Sequence, residues 1–496
     1  MSAATRHFVI AMCVWMVAGN VALGELLDDR DWILMTSDNF RVHSVLGEKR
    51  TAELLHHLEV MHSTFGTTYN TSTYDSKIPT VILIVDDHDD YAAIGAPANS
   101  MGYFISDLRE NAILVEDSND ARGAEVMLHE YVHFLSFQSD RIRYPRWYEE
   151  GRAEYLSTSR LRDNVLEVGL PVERRLASLR FGSWLPLGTV LELTDLSTLD
   201  EEQSDLFYGQ SWLLVHYLSS QPDAELKLPA STRKYSVLIG QGVNRSDAFE
   251  QAFDQDIAEL EPTLLKYFVD GSFASREIPA DTALPGFAPR ARPLSVAEVR
   301  LALARMALRF RNLDGAEAWF NAVLSDPEFR AHGETGLGRI RGIRGDIEGA
   351  RSHFDEAIYL MAWDFDIWMD YAQYWAQRVS VTADFKTRKR YAMRLVEALE
   401  SALTIKEATP ELNSLMGFAY LAMDKDIYEA IDYLEAAADE APFDQASRLL
   451  LANAYLFVGD NSRAIGMAES VLSLEHEPSN VTVAAQALIS KARDAD

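Results

Sequence analysis

LHEYVHFLSF, residues 128–137, places two histidines and a glutamate among large apolar residues. His129 and His133 are four residues apart, so on a helix they lie on one face and can bind a single metal ion. Glu130 would then point towards a water molecule bound by that ion. The alternative is a buried amphipathic helix with two hydrogen-bonded histidines. The helix itself is predicted by apolar residues at helical spacing: Val126, Leu128, Val132 and Leu135.

A third ligand decides between a metal site and a coincidence. PRWYEEGRAEYLS, residues 145–157, predicts a second helix that starts after Pro145. Glu150 lies 17 residues after His133, which leaves room for a turn and an antiparallel helix that returns its carboxylate to the histidines. Three protein ligands would leave one zinc position open for water, as in catalytic rather than structural zinc sites.

The HExxH motif followed by WxxEGxAEY resembles the gluzincin metallopeptidases, especially the peptidase MA-like proteins and, more distantly, the aminopeptidase N and thermolysin groups. The resemblance covers residues 30–275 and implies a zinc metallopeptidase with Glu150, rather than Glu149, as the third ligand. It implies that Glu130 is the general base that activates a zinc-bound water. It further implies that Glu154 accepts a hydrogen bond from a ligating histidine, unless it is a solvated surface residue.

Tyr208 is the candidate donor to the oxyanion that develops during hydrolysis, because the resemblance puts an assisting tyrosine at a comparable distance after the third ligand. The alternative is a tyrosine of the core. The segments before residue 205 mix strand and helix signals, which predict an α+β domain. Its strand NAILVE, residues 111–116, fits either a substrate-pairing edge strand or a buried central strand.

The last 200 residues repeat themselves. GLGRIRGIRGDIEGARSHFDEAI, residues 336–358, has small and aromatic residues at spacings that resemble the tetratricopeptide repeat, whose period is about 34 residues. Related segments before and after it predict an all-α solenoid of about five units over residues 296–496, which would bind a protein partner. A Pro- and Ala-rich linker, 276–295, would separate it from the peptidase domain, 25–275.

The N-terminus and the composition indicate in which compartment the protein acts. Residues 1–24 combine Arg6, an apolar run and small residues, which predict a cleaved secretory signal; an uncleaved anchor is the alternative. No later stretch is apolar enough to span a membrane, and the only cysteine, Cys13, lies in the signal. The net charge of -30 argues against a nucleic-acid partner. We therefore expect a periplasmic or secreted protein.

These observations together predict an exported zinc metallopeptidase that acts on a peptide or protein substrate, with Zn²⁺ as its cofactor. Two alternatives stay open at this point. One is a non-catalytic protein-binding scaffold with a vestigial zinc domain, and the other is hydrolysis of a non-peptide amide by the same chemistry.

Overall fold

The structure is a computed structural model that describes residues 27–68, 78–97, 100–117, 121–139, 144–284, 286–472 and 479–494. The predicted signal, residues 1–24, lies outside these residues. Within the described parts of the chain, no helix has the length and apolarity needed to cross a bilayer.

Up to residue 293 the chain contains both strands and helices. In chain order they are β1 (Ile33–Thr36), β2 (Phe40–Ser44), α1 (Gly47–Thr68), β3 (Thr80–Val85), α2 (His88–Ile94), β4 (Gly102–Ser106), β5 (Asn111–Glu116), α3 (Ala121–Ser139), α4 (Arg146–Ser157), β6 (Arg160–Arg162), β7 (Val165–Val168), α5 (Glu173–Phe181), α6 (Leu187–Glu192), α7 (Glu201–Ser219), α8 (Ala224–Gly240), α9 (Arg245–Phe253), α10 (Ile257–Asp270), β8 (Arg276–Pro279) and β9 (Arg290–Pro293).

From residue 296 the described chain is helical. The helices are α11 (Val296–Arg309), α12 (Leu313–Val323), α13 (Arg330–Ile343), α14 (Ile347–Met361), α15 (Phe365–Val381), α16 (Phe385–Leu403), α17 (Pro410–Met423), α18 (Ile427–Glu440), α19 (Gln445–Phe457), α20 (Asn461–Leu472) and α21 (Asn480–Asp494). Consecutive helices pack in pairs, beginning with α11 and α12. The prediction of an all-helical solenoid is confirmed.

The chain forms two compact units, and the first contains the described parts of residues 1–55, 77–123 and 287–437. Its six-stranded sheet has the order β4-β5-β3-β2-β1-β9. The parallel strands β3 and β5 are runs of apolar residues, which suits central strands covered on both faces. Because β5 lies between β4 and β3, the edge-strand interpretation of NAILVE is wrong and the central-strand alternative is confirmed.

The sheet and the first helix pairs of this unit share one hydrophobic core. Apolar residues of β3 and β5 pack in the same buried cluster as residues of α11, α12 and α13. Residues 276–295, predicted as a linker, contain β8 and β9, and β9 pairs with β1 as the last strand of the sheet. The representative members of the shared core are Leu83, Leu114, Leu303, Phe320 and Ile340.

The second unit contains the described parts of residues 56–76, 124–286 and 438–496. It has a small sheet of order β6-β7-β8, most of α3 and the helices α4 to α10, followed in the chain by α19, α20 and α21. Helices α4 and α7 approach closely at Gly151, where an added Cβ would lie 2.3 Å from the carbonyl oxygen of Ser211. Only glycine permits this separation, so Gly151 sets how close the two helices lie.

A buried histidine lies in the last turn of α7. His216 donates from Nε2 to the carbonyl oxygen of Gly169 at 3.0 Å, and its Nδ1 accepts from the hydroxyl of Tyr267 at 2.8 Å. Burial lowers the pKa of His216 to about 4, so the ring is neutral in the folded protein at neutral pH.

Candidate metal centre

Two neighbouring helices bring two histidines and a glutamate together. His129 and His133 lie on one face of α3, and their Nε2 atoms are 3.1 Å apart. Glu150, on α4, directs Oε2 to within 3.3 Å of the His129 nitrogen and 3.4 Å of the His133 nitrogen. Among the described residues, this is the one group of three or more His, Cys, Asp or Glu side chains that could hold a metal ion.

The chemistry of these atoms fits a bound cation. The side chain of Glu150 is buried, and its Oε2 makes no hydrogen bond although two ring nitrogens face it. A buried carboxylate oxygen without a hydrogen bond is costly, and a cation between the three groups would remove that cost. Two imidazole nitrogens and one carboxylate oxygen are a set of ligands that zinc accepts.

Without a metal ion, the three groups form a charged cluster. Burial lowers the pKa of His133, but the negative charges of Glu150, Glu130 and Glu149 together raise it, to about 9. Burial raises the pKa of Glu150, yet the two histidines hold it well below its usual range. A metal ion binds the neutral imidazole, so its binding must displace the proton that His133 carries at neutral pH.

The two acidic residues beside the ligands have different surroundings. Glu130 is half-buried on α3, and its charge contributes to the raised pKa of His133. Glu149, the competing ligand in the sequence, lies 3.8 Å from the guanidinium of Arg146 and outside the three-residue cluster. Arg146 also donates to Oε1 of Glu150 at 3.4 Å, so that oxygen has a hydrogen-bond donor, whereas Oε2 has none and faces only the two histidine rings.

Glu154 approaches the centre without hydrogen bonding to it. Its Oε1 is 3.8 Å from Nδ1 of His129, which exceeds hydrogen-bond distance. The carboxylate instead accepts from Nε and Nη2 of Arg175, at 3.1 and 2.7 Å, and from Nη2 of Arg174 at 3.2 Å. Burial raises the pKa of Glu154, but Arg175, His129 and Arg174 together lower it further, so the residue is ionised.

Arg175 connects this carboxylate to Tyr208. Its guanidinium also donates to Asp205 on α7, one helical turn before Tyr208, and lies 4.5 Å from the centre of the Tyr208 ring. The Tyr208 ring is 6.3 Å from the ring of His129. The negative charge of Glu150 and burial raise the pKa of Tyr208, so its hydroxyl stays protonated and can donate a hydrogen bond.

Sequence reasoning did not identify Arg175. Two adjacent arginines, Arg174 and Arg175, begin a short helix that has no apolar period of its own. Arg175 is nevertheless buried, and a fully buried arginine is uncommon unless its charge is paired. No local pattern in the sequence distinguishes it from its more exposed neighbour, because the difference comes from packing against α4 and α7.

No protein-family model matches the chain, and no curated protein matches it. It is similar to solved structures of repeat proteins. A thermophilic TPR protein of Thermus thermophilus is 16% identical, with 39% of this chain and 99% of that chain covered and a TM-score of 0.33. A tetratricopeptide repeat protein of Parabacteroides merdae is 14% identical, with 54% and 90% covered and a TM-score of 0.30. Yeast Tom70 is 12% identical, with 60% and 61% covered and a TM-score of 0.31.

Proposed function

We propose that the protein is an exported zinc-dependent metallopeptidase of the gluzincin type, whose helical repeats bind a partner or the substrate. The observation that carries this proposal is the cluster of His129, His133 and Glu150, in which donor atoms from two helices lie 3.1 to 3.4 Å apart. A buried carboxylate oxygen that lacks a hydrogen bond supports a cation at this point. Export rests on the signal predicted from residues 1–24.

Each residue around the cluster has a chemical role in this proposal. A zinc ion held by the three ligands would supply a Lewis acid and lower the pKa of a water molecule. Glu130, half-buried beside His133, would accept a proton from the attacking water and pass it to the leaving amine. Tyr208 keeps its hydroxyl proton and donates it as a hydrogen bond to the developing oxyanion.

The second candidate function is a non-catalytic protein-binding scaffold with a vestigial zinc domain. The paired helices from α11 onwards favour it, because stacked repeats commonly provide extended binding surfaces. A third candidate, hydrolysis of a non-peptide amide, uses the same ligands and base as the peptidase.

One experiment separates these functions. Metal content and cleavage of a peptide library are measured for the wild type and for Glu130→Gln, which keeps the side-chain shape and removes the base. We expect about one zinc per chain in both proteins and cleavage by the wild type only. Zinc without any cleavage would favour the scaffold, and hydrolysis restricted to non-peptide amides would favour the third candidate. A wild type that binds no zinc would overturn the proposal.

A further inference from the structure

The turn between β4 and β5, residues 107–110, contacts one surface of the solenoid within the first unit. We call this surface the first-helix face, because its residues come from the first helix of each pair: Arg309 of α11, Arg339 of α13, Asp370 of α15 and Glu411 of α17. The turn contacts Arg309, Asp370 and Glu411 directly, and Arg339 lies behind Asp370.

Arg109 is the centre of this contact. Its Nε donates to Oε2 of Glu411 at 2.9 Å and its Nη2 donates to Oε1 of the same carboxylate at 3.1 Å. Its remaining terminal nitrogen donates to Asp370. The two parallel bonds to Glu411 use the planar fork of a guanidinium, which the single ammonium of a lysine cannot reproduce.

The acidic residues of the turn are matched by a base on the solenoid. Arg309 donates to Asp107 at 2.8 Å and to Glu110 at 3.1 Å. The two acids of the turn thus face Arg309, and the arginine between them faces Asp370 and Glu411. This complementarity fixes the register of the turn on the solenoid.

The two acids that accept hydrogen bonds from Arg109 are buried and need a cationic partner. Glu411 and Asp370 are 5% and 9% exposed. Arg339 lies 3.3 Å from Asp370, but Glu411 has only the uncharged Gln373 as its other hydrogen-bonding side chain in the described contacts. A buried carboxylate that loses its cation is strongly destabilised, so this place on the face requires an arginine.

The turn, residues 107–110, links β4 to β5 and is itself outside the strands of the sheet. Its backbone is held locally, because the amides of Arg109 and Glu110 both donate to Asp107 Oδ1 at 2.9 Å. The strand β4 that precedes it is an edge of the sheet, and the shared core lies on other residues. Release of the turn would break the side-chain contacts described above, and it would strain the edge-to-face contact of Tyr103 with Phe310, whose ring centres are 5.4 Å apart.

We propose that the first-helix face is an arginine-recognition surface that the chain fills with its own turn, residues 107–110. A protein partner binds there by presenting an arginine, flanked by acidic residues, in place of Arg109. This inference specifies the partner-binding part of the proposed function and is independent of the zinc chemistry. The repeats are thus closed to partners that lack such an arginine.

The test uses a fluorescent peptide with the sequence of residues 103–113, YFISDLRENAI, and the full chain. We expect the Arg109→Ala variant to bind this peptide at least tenfold more tightly than the wild type, whose face is already filled. A peptide with alanine in place of its arginine should not bind either protein. Equal binding of the peptide by variant and wild type, or equal binding of both peptides, would overturn the proposal.

A second variant covers the case in which Arg109→Ala does not fold. Glu411→Gln keeps the side-chain shape but weakens the hydrogen bonds to the turn, so the amides of residues 108–110 should exchange with deuterium at least tenfold faster than in the wild type. The matched control is Glu407→Gln, an exposed acid four residues earlier, which should leave exchange unchanged. Unchanged exchange in Glu411→Gln would contradict the inference, while zinc binding and peptide cleavage report separately on the proposed function.

Discussion

Gly151→Ala tests whether the close approach of α4 and α7 determines the metal centre. The new Cβ would lie 2.3 Å from the carbonyl oxygen of Ser211 and 2.7 Å from a methyl carbon of Val215, whereas ordinary contact begins at 3.4 Å. The two helices must therefore move apart by about 1 Å. Overpacking of this kind costs about 1–3 kcal/mol, and the better helix propensity of alanine returns about 1 kcal/mol.

The net expectation is a loss of up to about 2 kcal/mol in the free energy of unfolding. Gly466→Ala is the matched control, because Gly466 is an exposed glycine inside α20 with no atom within 4 Å of an added Cβ. It should gain about 1 kcal/mol from helix propensity alone. The difference between the two alanine variants isolates the packing effect from the helix propensity that both share.

Urea unfolding with the metal chelated measures the stability, so that ligand binding does not contribute. Competition with a chromophoric chelator measures the zinc affinity. Because Glu150 precedes Gly151 and moves with it, we expect Gly151→Ala to weaken zinc binding by about 10–100-fold, as disturbed ligand orientation commonly does. Equal stability of the two alanine variants would refute the packing argument, and unchanged zinc affinity would refute the link between packing and the ligand.

Three further outcomes are expected. Glu130→Gln should retain zinc and lose at least about 100-fold in peptide cleavage, since it lacks the general base; equal cleavage by variant and wild type contradicts that role. Arg175→Met should lower zinc affinity more than Arg174→Met. Arg175 is buried and donates two hydrogen bonds of 3.1 Å or less to Glu154, which lies beside the ligand His129. Equal zinc affinities of the two variants would contradict this role of Arg175. The pKa of His216 is about 4 in the fold and about 6.5 when unfolded, so the unfolded chain binds a proton first as the pH falls. The free energy of unfolding should therefore drop by up to about 3 kcal/mol between about pH 6.5 and 4, and urea titrations of His216→Gln should show a shallower pH dependence; an identical slope rules out this residue as the cause.

The geometry inside a single element was accessible from the sequence. Apolar periodicity predicts a helix after Pro145, and α4 runs from Arg146 to Ser157. The spacing within α3 puts His129 and His133 on one face, and the structure brings Glu150 to them. The positions within each helix follow from the helical repeat of about 3.6 residues, which is a local property of the chain.

Apart from the approach of Glu150 to the histidines, contacts between elements were not accessible in the same way. Glu154 was expected to accept a hydrogen bond from His129, but its carboxylate accepts hydrogen bonds from Arg175 instead. No helical or strand spacing in the sequence relates residues 154 and 175. The four-residue strand β9 carries two arginines and a proline and has no strand signature, because it gains its conformation by pairing with β1. Such pairing depends on tertiary position rather than on local preference.

The pairing of β1 with β9 also affects the order of events during synthesis. β1 ends at Thr36 and β9 begins at Arg290, so residues 37–289 must be made between the two partners. At roughly 5–20 residues per second, a ribosome needs on the order of 10–50 s to make this interval. During that time the apolar strands β3 and β5 lack both the last strand of their sheet and their cover from α11 to α13. The sheet of the first unit can therefore be completed only after the chain has been made beyond β9.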